Sequence, residues 1–149
     1  NREIEKNTGM PVGEIIALYG QEGYRQLEAD TLTNIIETQH RAVIAVAGGI
    51  VSEQDTFFHV LSRCHTVWVK ASAEEHMERV RAQGDVRPMQ GNPQAMIQLR
   101  QIMNSREALY AQSDHVLNTN GKSVDQSEAE LADLIQSFQI LSQDQASDI

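Results

Sequence analysis

Apolar residues recur at helical spacing in two segments near the start of the chain. Val12 to Tyr19 follows Pro11, and Gly23 to Gln39 places Tyr24, Leu27, Leu32, Ile35 and Ile36 on one face at helical period. Each predicts a helix with one face packed on a sheet. The pattern then changes to a continuous run, Ala42-Val43-Ile44-Ala45-Val46, which is too short for a helix and ends in Ala47-Gly48-Gly49. It predicts a buried parallel strand. Ser52 with Asp55 predicts a capping box opening a helix to about Arg63, and Thr66-Val67-Trp68-Val69 predicts a second strand.

Ser72 with Glu75 repeats the capping pattern and opens a helix to about Gln83. Two glycines and Pro88 mark Gly84 to Asn92 as a loop. Asn92-Pro93 then caps a helix to about Ala111, His115-Val116-Leu117 forms a short strand, and Val124 to Leu141 closes the chain as a helix. This alternation predicts an α/β fold, a parallel sheet with helices on both faces. The expected organisation is one domain over 1–141 and a flexible tail over 142–149.

Composition narrows the function classes. The 149 residues are 40% apolar, enough for an ordinary core, and carry 21 acidic against 12 basic side chains, a net charge of -9. Such a surface repels a phosphate backbone, so direct nucleic-acid binding is not expected. The lone Cys64 allows no internal disulfide and suits a reducing, cytoplasmic setting. No apolar run approaches the roughly 20 residues that span a bilayer, so no membrane partner is expected. Asn1-Arg2-Glu3-Ile4-Glu5 reads as the middle of an element, so the sequence is expected to be part of a longer chain.

Candidate chemistry is confined to a few residues. The histidines His40, His59, His65, His76 and His115 have no partner at metal-ligand spacing, and no serine sits in a nucleophile elbow. Catalytic and metal-ligating residues are therefore assigned to none of them. Gly48-Gly49, directly after a predicted strand, stands where open α/β sheets bind ligands and where a bare backbone can approach an anion. Arg25 has Glu28 one helical turn on to orient its guanidinium. Arg87 falls in the glycine-bounded loop and Arg106 on the helix after it. Converging guanidinium groups form the planar forks that carboxylates and phosphates fit.

In order along the chain, Ile4-Glu5-x-x-x-Gly9, Gly20-Gln21-Glu22-Gly23-Tyr24-Arg25-Gln26-Leu27-Glu28, Val46-Ala47-Gly48-Gly49, Val86-Arg87-Pro88 and Arg106-Glu107-Ala108-Leu109-Tyr110 resemble the successive motifs of shikimate kinase. The resemblance implies a P-loop NTPase-like fold in which Arg25, Gly48 and Gly49 grip an acidic substrate. It implies that Arg106 is a second contact to the substrate carboxylate and Arg87 the lid arginine that reaches the transferring phosphate. Phosphoryl transfer of this kind works by positioning and charge neutralisation, so arginines dominate such sites.

Three departures from the family pattern shape the expectation. Residues 1–149 contain no Gly-x-x-x-x-Gly-Lys-Ser/Thr loop, whose amides and lysine would hold β- and γ-phosphates and magnesium. On that reading these residues alone are not a kinase and hold no cofactor, and ATP with magnesium belongs to the full-length protein. The family's substrate-hydroxyl aspartate aligns with Asn1, whose amide cannot take a proton, and its triple glycine is Ala47-Gly48-Gly49. In the family's sheet order, 2-3-1-4-5, strand 1 lies between the strands at Val43 and Val67. Their edges are expected to pair with each other or with a second copy.

The run from Glu74 to Asn92 also resembles the effector domain of benzoyl-CoA-responsive transcriptional regulators, which join an Xre-type helix-turn-helix to a shikimate-kinase-like domain. That resemblance implies a dimeric, ligand-sensing domain that binds an aromatic acyl-CoA and reaches DNA only through an upstream domain. The alternative is part of a shikimate kinase. The regulator reading is the leading expectation, with Arg25, Gly48, Gly49, Arg87 and Arg106 as ligand-binding residues and Glu28 orienting Arg25.

Overall fold

The computed structural model describes residues 1–82 and 94–147, with side chains through Phe138. The chain divides into two compact units, Asn1–Cys64 and His65–Ile149.

In the first unit, α1 (Arg2–Thr8) turns back into α2 (Val12–Thr38). Glu5 Oε1 accepts the Val12 N–H at 3.0 Å, so an acidic side chain satisfies one open donor at the start of α2. The two predicted helices, Val12 to Tyr19 and Gly23 to Gln39, are the two halves of α2, divided at Gly20. Gly20 adopts φ 71° and ψ -179°, a conformation open essentially to glycine alone. The resulting kink lets residues on both sides share one core: Ile15 and Tyr24 bury against Ile4, with Met10, Val12, Ile16 and Leu27 packed around them. A 3₁₀ turn, Gly48–Ser52, then leads into α3 (Gln54–Arg63).

The expected strand at Ala42–Val46 does not form: the segment joins no ladder, and Val43 is 77% exposed. A β-branched run becomes a strand only when a neighbour completes its hydrogen bonds, and no described residue does so here. The capping box at Ser52 also fails. The 3₁₀ turn runs through Ser52, so Glu53 becomes the residue before α3 and makes no side-chain cap.

In the second unit, β1 (Val67–Lys70) and β2 (His115–Asn118) pair in parallel, with Val67 opposite His115 and Lys70 opposite Asn118. Such a pair needs a long crossover, which α4 (Ala73–Ala82) and α5 (Ala95–Tyr110) supply. Polar clasps close the pair at both ends. Asp114 Oδ2 accepts the Thr66 N–H at 2.7 Å and its hydroxyl at 2.8 Å, while the Lys70 carbonyl accepts the Thr119 N–H at 2.9 Å.

α4 opens as predicted, with the Glu75 N–H donating to Ser72 Oγ at 3.3 Å. α6 (Val124–Ser147) starts at the predicted residue and continues past the expected end at Leu141. Its start is set by a reciprocal box that the sequence reading missed: the Gln126 N–H donates to Ser123 Oγ and the Ser123 N–H to Gln126 Oε1. Phe138 on α6 is buried, its ring 4.7 Å from both His65 and His115. Those histidines are packing partners of Phe138. The expected loop at Gly84 to Asn92, with Arg87, and the Asn92-Pro93 cap lie outside the described residues.

Candidate functional site

Arg25, Glu28 and Gly49 come together in the first unit. α2 carries Arg25 and Glu28 on one face, one turn apart, and Arg25 Nη1 donates to Glu28 Oε2 at 2.6 Å. The other Glu28 oxygen accepts from the Tyr24 hydroxyl at 3.3 Å, and that hydroxyl also lies 3.0 Å from Asn1 Oδ1. Glu28 is only 6% exposed at its side chain, so it is a dry counter-ion fixed by two donors, and it fixes the guanidinium in turn.

The glycine after the predicted strand has a definite reason to be there. A Cβ on Gly49 would stand 2.2 Å from Arg25 Nη2, inside any permitted contact, so the guanidinium meets bare backbone where a side chain would exclude it. Sequence reasoning reserved this space for a ligand, whereas the structure fills it with the arginine that would hold one. Ala47 has φ -70° and ψ 144°, extended backbone that any residue adopts, so its methyl costs the turn nothing.

A fourth member was not foreseen. Glu53 Oε1 lies 3.4 Å from Arg25 Nε, and its side chain is 40% exposed. Because the 3₁₀ turn intervenes between Gly49 and α3, no helical or strand period links Glu53 to Arg25. Only the folded turn reveals the pair. Arg25 also lies beside the Tyr24 ring, 5.3 Å from its centroid.

These contacts alter the phenol. Burial pushes the Tyr24 hydroxyl above its ordinary pKa, and Glu28 pushes it the same way, by charge and as hydrogen-bond acceptor; the opposing charge of Arg25 is smaller. The Cys64 thiol is also pushed up, by burial, against a weaker pull from Arg63, which fits an unreactive packing role.

Arg106 lies half-buried on α5 in the second unit. That helix is tied to β1 by Lys70 Nζ, 2.8 Å from Glu107, and by the Trp68 ring stacked on Tyr110 at 5.5 Å. A groove of about 360 Å³ between α4 and α5, lined by Met77, Val80, Leu99 and Ile102 among others, includes no predicted site residue. Among the described residues no group of three or more His, Cys, Asp or Glu is placed to hold a metal ion, and no helix is long and apolar enough to cross a membrane.

The chain has a parallel α/β fold, and in its first unit an arginine with a buried counter-ion stands against a glycine turn. The sequence profile of the shikimate kinase family matches residues 1–136, and the chain belongs to that family. It is 34% identical over 122 residues to shikimate kinase from Francisella philomiragia, covering 81% of this chain and 69% of that one. Against shikimate kinase from Parasynechococcus marenigrum it is 34% identical over 111 residues, 74% of this chain and 57% of the relative.

The fold matches as well. Shikimate kinase from Acinetobacter baumannii, solved in complex with shikimate, superposes with a TM-score of 0.72 at 23% identity, covering 91% of this chain and 76% of that one. The enzyme from Bacteroides thetaiotaomicron gives 0.76 at 23% identity, covering 92% and 80%. These relatives overturn the leading expectation of a benzoyl-CoA-sensing effector domain in transcription regulation, because family profile, sequence relatives and fold neighbours are all shikimate kinases. The Glu74 to Asn92 resemblance misled because it rests on one short run, whereas the family match covers residues 1–136.

Proposed function

We propose that the protein is a shikimate kinase, transferring a phosphoryl group from ATP to shikimate, and that Arg25 anchors the substrate carboxylate. The observation that carries this reading is the guanidinium of Arg25 held over Gly49 by the buried Glu28. An arginine fixed in advance loses little freedom when a carboxylate docks, so its binding energy goes into orientation. The neighbour solved with shikimate supports a carboxylate ligand, and the family membership supports the reaction.

Gly48 and Gly49 give close backbone approach; the family resemblance assigns Arg106 as a second cation for the carboxylate and Arg87, which lies outside the described residues, as the arginine for the transferring phosphate. Asn1 can exchange hydrogen bonds with a substrate hydroxyl but cannot take its proton, so the chain's contribution is positioning and charge. ATP with magnesium supplies the phosphoryl group. Its phosphate grip is not among residues 1–149, which contain no Gly-x-x-x-x-Gly-Lys-Ser/Thr pattern. The test is ADP release by the full-length protein as shikimate is titrated at fixed ATP and magnesium. Saturable, shikimate-dependent release is expected, and release that ignores shikimate would refute the assignment.

A further inference from the structure

Building on the assignment of Arg25 as the carboxylate anchor, we infer that Glu53 is a displaceable counter-ion that competes with the incoming carboxylate and sets the affinity of the site. Arg25 carries one positive charge, yet two carboxylates face it: Glu28 at 2.6 Å from Nη1 and Glu53 at 3.4 Å from Nε. With both in place the cluster is net negative, and a third carboxylate approaches against repulsion.

The two partners are not equivalent. Glu28 is 6% exposed and accepts from Tyr24 as well as Arg25, so its departure would strand a buried charge and a phenol. Glu53 is 40% exposed, stands farther from the guanidinium, and can swing into water with its charge solvated. Geometry selects the same residue. A carboxylate binds a guanidinium best through two parallel N–H bonds from adjacent nitrogens. Nη1 is committed to Glu28, which leaves the edge formed by Nε and Nη2, and Glu53 sits at Nε. Ligand binding at that edge therefore requires Glu53 to leave. Glu53 is a specificity-setting residue and not a catalytic one: it suppresses weak anions in the empty site and yields to a ligand whose other contacts compensate.

The experiment is calorimetric titration of the full-length protein and its Glu53→Gln variant with shikimate and with the uncharged methyl ester of shikimate. Gln keeps the size of the side chain and leaves the backbone carbonyl that accepts the Phe57 N–H at the start of α3. Glu53→Gln is expected to tighten shikimate by about two- to five-fold, the range of a partly exposed ion pair, and to leave the ester unchanged. The Glu53→Asp variant, with a shorter reach but the same charge, is expected to fall between the two. Equal or weaker shikimate binding in Glu53→Gln, or equal gains for acid and ester, would overturn the counter-ion role while leaving Arg25 as anchor. Absence of shikimate binding in the wild type and both variants would overturn the anchor assignment and this inference with it.

Discussion

Much of the chemistry of this site is decided by what individual side chains are denied. Tyr24 is denied water and set against a carboxylate, so its neutral form is favoured when folded. The unfolded phenol ionises near pH 10, and the folded value lies above it. The stabilising contribution of Tyr24 is thus fully present below about pH 10 and is lost as pH rises through the raised folded value. Titration of tyrosinate absorbance should show an ionisation step above pH 10 that is missing from Tyr24→Phe, and alkaline unfolding that is correspondingly shifted; a Tyr24 step at the model-peptide value would contradict this. At this scale the sequence was partly readable. Arg25 and Glu28 share a helical face by period alone, and Gly49 marks a close approach. Glu53 was hidden because its distance from Arg25 depends on a 3₁₀ turn, and no periodicity encodes one.

Elements were legible where the determinants are local. Both halves of α2, β1, β2 and the starts of α4 and α6 fall where spacing and flanking residues place them. Gly20 shows a local determinant with a measurable cost. Replacing it with Ala forces a Cβ into a backbone region that is nearly glycine-only and should destabilise the protein by about 1 to 3 kcal/mol. Gly13→Ala is the internal control: Gly13 is within the same helix, and an added Cβ meets nothing within 4 Å. That substitution should stabilise by about 0.5 to 1 kcal/mol. Urea denaturation of the two variants distinguishes a kink imposed by Gly20 from one imposed by packing, since packing alone would make the two substitutions behave alike. Elements whose determinants are distant were not legible. Ala42–Val46 has the composition of a strand, but a strand is a relation between two segments. The box at Ser52 failed for a related reason, because the turn ahead of it moved the start of the helix.

For the whole molecule, the sequence revealed the family but not which member function to prefer. A net charge of -9 is compatible with a domain that leaves DNA to another module and equally with an enzyme of a small anionic substrate, so charge could not choose. The chain covers 57% to 69% of two relatives it resembles by sequence, and the activity proposed here belongs to the full-length protein. The central claim is that Arg25 over Gly49 anchors the substrate carboxylate. Its most direct test is shikimate phosphorylation by full-length protein carrying Arg25→Lys, which keeps the charge but loses the planar fork. The account predicts a fall in kcat/KM on the order of 10- to 100-fold, the loss of a charged hydrogen-bonded contact, carried mainly by KM. An unchanged kcat/KM for shikimate would contradict it.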